Sequence, residues 1–367
     1  MKKFLVLGIG NAQVDLLRFL RNSGKFEVHA LSNTEFGRGL QYADKFECIN
    51  ITDKDAVLDY ASRNNIDIIY SIGSDVAMPT ATFVSEKLGK PCFVSYETAK
   101  VCNNKNEFRE KLKNCYGAVP FQVLKNAEDI NLSSNLRFPL IVKPVDSQGQ
   151  RGVGTAHNIN EVKTLFYTAL TYSRSKKVII EEKIQGEEIS VNVYLHNGEL
   201  VFFLPSGRVS WEEFDGGIIH KHYIPSNLSA EAVTNVERLV KETLSSLSIT
   251  DGPAYFQIKM SNDTPYLIEV TPRFDGCHMW QLILHSCNVN LLETAIRHLT
   301  TSSFNPISID KVHPYCLEFY CQPPGESFVL PSKEEFLSYE ELYYREGDVV
   351  REMNGKMEKC GYKIFEL

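Results

Sequence analysis

Strand and helix alternate through the first hundred residues, and this alternation restricts the fold more than any other feature of the chain. Phe4–Gly8 is a continuous apolar run closed by glycine, the pattern of a strand buried on both faces. Ala12–Leu20 then carries Leu16, Leu17 and Leu20 at helical spacing. Glu27–Leu31 reads as a second strand, Asp53 caps a helix through Ala61, and Ile66–Ile72 is a further buried strand closed by Gly73. Such alternation predicts an α/β unit with a parallel sheet and crossover helices.

Gly8-Ile9-Gly10 after the first strand invites a dinucleotide-binding reading. The third glycine of that fingerprint would fall at Gln13, and the second strand ends Leu31-Ser32-Asn33 with no acid to hold a ribose. The glycines therefore read as a tight turn.

Helical periodicity stops near Tyr116-Gly117-Ala118-Val119-Pro120, which places a boundary there. Strands follow at Leu140–Pro144, Val178–Glu182, Ile189–Leu195 and Leu200–Leu204. The last two flank His196-Asn197-Gly198-Glu199, where Asn-Gly accepts positive φ at both turn centres. Asn160–Tyr172 and Ser229–Leu247 read as amphipathic helices, the second capped by Ser229 with Glu231 in its first turn. The tail after Asn305 reads as a packed continuation without repeats.

With 367 residues, two or three domains are expected, and no disulfide is needed merely to fold. A net charge of −7, without a dense Lys/Arg run, argues against nucleic acid and against an anionic membrane surface. No stretch approaches the ~20 apolar residues of a membrane span, and Met1–Gly8 is too short an apolar start for a signal peptide. The nine cysteines form no CxxC pair and read as small buried hydrophobes in a reducing, cytoplasmic compartment.

Three stretches carry the chemistry. In Phe138–Gly154 a buried strand delivers Lys143, and a glycine-rich loop, Ser147-Gln148-Gly149-Gln150-Arg151-Gly152, follows at once. Lysine supplies a point charge for phosphate oxygens, and glycines let backbone N–H groups approach them; the order is not that of a Walker A loop. In Val178–Ile189 an apolar strand runs into Glu181 and Glu182, breaks at Gly186 and resumes. A break frees backbone groups for a base edge, and a carboxylate beyond it suits ribose hydroxyls. In the third stretch, a hairpin closing around Asn262–Thr264 sets Gln257 opposite Glu269. Period-two alternation adds Thr271 to that face, giving three oxygen ligands of the kind magnesium prefers, with Arg273 just beyond.

In this order and spacing the three stretches resemble the ATP-grasp superfamily, within it the carbamoyl-phosphate-synthetase-like and amino-acid-ligase branches. The resemblance covers nearly the whole chain. It implies a Rossmann-like N-terminal domain over 1–115, a small lid over 116–186 and a large subdomain over 187–367 with the metal and substrate site, α/β overall and α+β in the C-terminal part. By position, Lys143 and Lys105 would grip phosphates, and Ser147, Gln148, Gly149 and Gly152 would belong to the loop over them. Glu181 would accept from the adenine amino group, the backbones of Glu182 and Ile184 would read the base, and Glu188 would hold the ribose. Gln257, Glu269 and Thr271 would hold Mg2+ (or Mn2+), and Arg273 would stabilise the transferring phosphoryl group. The usual Glu-x-Asn-Pro-Arg is here Glu269-Val270-Thr271-Pro272-Arg273, so a hydroxyl replaces an amide and Glu269 is the sole anionic ligand expected.

The implied activity is an ATP-dependent ligase that phosphorylates a small-molecule carboxylate and joins it to an amine, with a homodimer as the assembly considered. A carboxyphosphate-forming enzyme, a non-catalytic ATP-binding protein and a nicotinamide oxidoreductase are the alternatives. Between the ribose and metal motifs, Arg208 is the candidate for a substrate carboxylate, with His220 beside it. His220-x-His222 has no third metal ligand apparent in sequence and reads as a pair of surface or hydrogen-bonded histidines.

Overall fold

The computed structural model describes all residues except 133–135, 147–150, 212–217, 302, 333–335 and 353–356. The chain opens with β1 (Lys2–Leu7), α1 (Asn11–Ser23), β2 (Phe26–Ser32), β3 (Lys45–Cys48), α2 (Lys54–Arg63), β4 (Ile68–Tyr70) and α3 (Ala77–Leu88), followed by α4 (Tyr96–Asn103) and α5 (Lys105–Leu112). The four strands form a parallel sheet in the order β3-β2-β1-β4. Asp53 caps α2 as expected, its carboxylate accepting from the Ala56 N–H. Two details differ from the sequence reading. β3 is an added edge strand whose residues are half-buried or exposed, so it carries no apolar run to announce it. The strand expected over 66–72 contracts to three residues because the Ile66 N–H is held by the carbonyl of Ala61 and the Gly73 N–H by that of Phe274.

The glycine turn after β1 does not leave room for a dinucleotide phosphate. Gln13 folds back over it: its Oε1 accepts from the Gly10 N–H at 3.1 Å, and its Nε2 donates to the Ile72 carbonyl at 2.6 Å. The amide of Gln13 fills the space that a third glycine would leave empty.

A second sheet is built from β5 (Phe121–Leu124), β6 (Leu140–Pro144), β7 (Gly154–Ala156) and β8 (Val178–Glu182), with α6 (Ile159–Tyr172) between β7 and β8. Its strands are antiparallel in the order β5-β8-β6-β7. Val162, Phe166 and Ala169 of α6 pack on Leu140, Val142, Val178 and Ile180.

The rest of the chain forms β9 (Glu187–His196), β10 (Glu199–Ser210), β11 (Ile219–Ile224), α7 (Ala230–Ser246), β12 (Gly252–Ser261), β13 (Thr264–Thr271), α8 (Met279–Cys287), α9 (Leu291–Thr301), β14 (Tyr315–Gln322), β15 (Leu337–Leu342) and β16 (Glu358–Glu366). These strands make an eight-stranded sheet in the order β13-β12-β9-β10-β11-β14-β16-β15, so the tail after Asn305 supplies three strands to it. Between β8 and β9 the chain turns at Gly186, whose φ is 141°. A Cβ there would lie 1.8 Å from the Met260 carbonyl oxygen, so only glycine lets the strand break this close to β12.

Alternation along β9 decides where the site lies. Ile189, Val191 and Val193 point to one face and join Phe256, Ile258 and Val270 in a core shared with Val236, Leu239 and Val240 of α7. Glu188, Ser190 and Asn192 point to the other. Direct pairings extend that second face across the sheet: Ser190 to Ser206 and Gln257, Gln257 to Glu269, Asn192 to Tyr255, Tyr255 to Thr271, and Arg208 to His222. A row of polar side chains on an inward face is costly unless it is hydrogen-bonded or meets a ligand.

The cysteine expectation holds only in part. Cys277, Cys287, Cys316 and Cys360 are buried, but Cys48 and Cys92 are exposed, because one ends the edge strand β3 and the other follows α3 in a loop. Among the described residues no helix is long and apolar enough to cross a membrane.

Candidate active site

The register of the β12–β13 hairpin is the one that the sequence predicts. The turn falls at Asn262-Asp263, with Asn262 at a φ of 53°, and Gln257 pairs with Glu269. A bulge follows Gln257, because Ile258 pairs with Leu267 and leaves Ile268 unopposed. Glu269 and Thr271 share the polar face. Thr271 is 3% exposed and its Oγ1 has no hydrogen-bond partner. Gln257 donates from Nε2 to Glu188 Oε1 at 2.9 Å.

Glu269 stays open to solvent while charged walls crowd it. The surrounding protein, and then the Asp75 carboxylate, push its carboxyl above the ordinary value; Arg273, Lys105 and Lys143 pull it back. Lys105, the first residue of α5, has its ammonium shifted down by burial and by the Lys143 charge, against Glu269, Glu181 and Asp75. These mutual effects put Lys105, Lys143, Glu269 and Arg273 in one place, from three separate parts of the chain.

Glu181, expected at the adenine, is the most tightly held carboxylate of the site. It is 4% exposed; Oε1 accepts from Arg109 Nε at 2.7 Å, and Oε2 lies 2.5 Å from Lys143 Nζ. Burial alone would raise its carboxyl, but Arg109 and Lys143 hold it at about 2. Arg109 is anchored in turn on the Leu267 and Ile268 carbonyls, at 2.7 and 3.1 Å, so α5, the second sheet and the β12–β13 hairpin meet at one ion cluster. Nothing in the sequence distinguishes Arg109 from any helical arginine.

Arg109→Met strands half of this cluster, and the expected loss is about 3–5 kcal/mol at neutral pH. Because the folded Glu181 carboxyl sits below its ordinary 4.5, its contribution is complete above that value and disappears as pH falls towards about 2. The gap between parent and variant, measured by urea unfolding at stepwise lower pH, should therefore narrow through that window. A gap independent of pH would show that the loss is one of packing alone.

Arg273 is held as a fork. Nε donates to Asp75 Oδ1 at 2.8 Å, Nη2 lies 2.5 Å from the same oxygen, and Nη1 donates to the Phe274 carbonyl at 2.8 Å. Asp75 was not singled out from the sequence. It lies just past the C-terminal end of β4, where a parallel sheet places ligand groups, and that topology is the signal that could have found it. With Asp75 beside Glu269, the expected metal face has a second carboxylate in electrostatic reach, one that is bound to Arg273 and lies outside the expected ligand set.

Glu188 and Arg208 lie together. Arg208 Nε is 3.2 Å from Glu188 Oε2, and Nη1 donates to the Tyr255 hydroxyl at 2.6 Å. The histidine reading needs correction. His220 stacks on Trp211 and pairs with Glu318 at 2.7 Å. His222 is fully buried with neither ring nitrogen hydrogen-bonded, and Asp275 and Cys277 lie beside it as further metal-ligand types, which sequence spacing did not reveal. Burial pushes its imidazole down to about 3, so it is neutral.

Of the residues expected at the base, Glu182 gives its N–H to the Pro120 carbonyl, and Ile184 follows at the break before β9. Gly152 has a φ of 74°. Ser147, Gln148 and Gly149 lie outside the described residues.

The donor set of Gln257, Glu269 and Thr271 is all oxygen, and the unpartnered buried Thr271 hydroxyl fits a hard cation such as magnesium. Lys105 of α5 and Lys143 of β6 act on Glu269 at this face, next to Arg273, a grouping that the resemblance to the ATP-grasp superfamily implies. Comparison agrees: residues 136–280 match the ATP-grasp domain family. Beyond this central match the chain is also similar, over most of its length, to whole proteins. It is 22% identical over 305 residues to a formate-dependent phosphoribosylglycinamide formyltransferase of Prochlorococcus marinus strain NATL1A, covering 81% of this chain and 76% of that one. It is 24% identical over 301 residues to a D-alanine–D-alanine ligase of Clostridium acetobutylicum, covering 73% and 87%. It superposes on the crystal structure of an L-amino acid ligase from Bacillus licheniformis with a TM-score of 0.79 at 18% identity, covering 100% and 93%.

Proposed function

We propose that this protein is an ATP-dependent ligase that activates a small-molecule carboxylate as its acyl phosphate and joins it to an amine, releasing ADP and phosphate. The observation that carries the reading is that Lys105 of α5 and Lys143 of β6 come within electrostatic reach of Glu269 of β13, which Arg273 also acts on. Phosphoryl transfer asks a protein mainly for positioning and charge neutralisation, and these groups offer both.

Lys105 and Lys143 bind phosphate oxygens. Glu181, already ionised, accepts from the adenine amino group, while the Glu182 carbonyl and the Ile184 N–H meet the base edge and Glu188 takes the ribose. Gln257, Glu269 and Thr271 hold magnesium, which when bound neutralises charge between the phosphates. Arg273, fixed by Asp75, meets the phosphoryl group as it moves to the carboxylate. Arg208, on the same face beyond Glu188, binds the carboxylate substrate.

A coupled assay for ADP and phosphate, run over amino acids and other small carboxylates with an amine present, tests this reading. Magnesium-dependent release should appear only when a carboxylate and an amine are both supplied. Binding of ATP without release under every pairing contradicts it and favours a non-catalytic ATP-binding protein.

A further inference from the structure

At the other end of the polar face of β9, beyond the nucleotide residues, a second group of ligand-type side chains meets. His196 closes β9, Asp251 precedes β12, and His298 lies in α9. His196 Nδ1 is 3.8 Å and His298 Nε2 is 3.7 Å from the same oxygen, Asp251 Oδ1. All three ligand atoms lie within 4.8 Å of one another. These separations are too long for hydrogen bonds and slightly wider than the spacing of ligands around one tetrahedral ion. His196 Nδ1 is buried and has no hydrogen-bond partner.

The opposite edge of each ring is already held. The Tyr194 hydroxyl is 3.1 Å from His298 Nδ1 and can accept its N–H, and Asn197 Nδ2 is 3.0 Å from His196 Nε2, a contact that a flip of the Asn197 amide converts to an Oδ1 acceptor when Nδ1 takes a metal. Partners of this kind orient imidazoles whose free nitrogens face a metal. Phe304 stacks on His196 at 4.4 Å, and Phe93 packs edge-on to His298 at 5.4 Å, so two sides of the group are apolar. Burial lowers the His298 imidazole, with the Asp251 carboxylate acting against that shift and His196 with it. The residues are partly exposed, which gives an ion a way in.

We propose that His196, Asp251 and His298 form a binding site for a first-row divalent cation of the zinc type, separate from the nucleotide face. Two imidazoles and one carboxylate suit zinc, nickel or copper, whereas magnesium prefers oxygen. The bound ion ties the end of β9, the start of β12 and α9 together beside Phe93 of the N-terminal region. The His222, Asp275 and Cys277 group is the rival site, but Lys359 Nζ stands 3.4 Å from Cys277 Sγ, and the Arg208 charge also acts on His222, both opposing a cation.

The test is equilibrium zinc uptake by the chelator-stripped, nucleotide-free full chain in excess magnesium, with metal counted per chain. One zinc per chain is expected, with a rise in Tm on the order of a few degrees. His298→Asn and Asp251→Asn should each weaken uptake by at least about tenfold while their metal-free Tm stays near that of the parent; if either variant unfolds, His196→Gln replaces it. Cobalt bound in place of zinc should lack a thiolate-to-metal charge-transfer band. The proposal is overturned by absence of uptake, by uptake unchanged in these variants, or by a thiolate band lost in Cys277→Ser. None of these outcomes depends on ligase activity.

Discussion

Glu269→Gln should abolish nearly all ATP-dependent turnover while leaving the fold and magnesium-free nucleotide binding close to normal. The substitution keeps shape and volume on β13, and Glu269 lies open in the cleft, so no packing is lost. What disappears is the one negative charge among the three proposed magnesium ligands, since Gln257 and Thr271 are neutral. Metal-assisted charge stabilisation is worth several kcal/mol, which is a loss of at least about a thousandfold in rate. Asp75 does not rescue the variant, because its carboxylate is committed to the Arg273 fork. Turnover measured across magnesium concentrations, beside nucleotide binding with and without the metal, checks this. Turnover near that of the parent would place the metal elsewhere and leave the hairpin a structural element.

The second large effect is expected at Arg273→Lys. The charge is kept and the fork is lost: a single ammonium cannot reach Asp75 and the Phe274 carbonyl while facing the moving phosphoryl group. kcat should fall by about 10²–10³ with little change in the KM for ATP, as for loss of one preorganised donor in a transition state. Asp75→Asn, which loosens the same guanidinium, should lower kcat in the same sense, and the two losses combined should be less than additive. A change confined to KM would make Arg273 a binding group only.

The site residues differed in how legible they were from sequence, and the reason is physical. Gln257 opposite Glu269 followed from period-two alternation and a turn at Asn262, which are local properties. The helix capped by Asp53 and the Asn197-Gly198 turn were readable on the same ground. Asp75 and Arg109 were not, since a single charge in a loop or helix carries no periodicity, and tertiary packing alone brings them to Glu269 and Glu181. The three strands after Asn305 are separated by long connections; β14 and β15 are half-buried, and the largely buried β16 carries Lys359 and Lys363 among its apolar residues, so none shows a continuous apolar run. His222 was misjudged for a related reason: Asp275 and Cys277 reach it across the sheet, outside any sequence motif.

The central claim is that the γ-phosphoryl group of ATP passes to the carboxylate oxygen of a substrate. The most direct measurement supplies the carboxylate identified by the release assay with both oxygens labelled as oxygen-18, together with ATP, magnesium and the amine, and follows the label into inorganic phosphate by mass spectrometry. The account predicts one labelled oxygen in each phosphate released in step with product. Phosphate without label, formed at the same rate as product, would contradict an acyl phosphate and with it the proposed function.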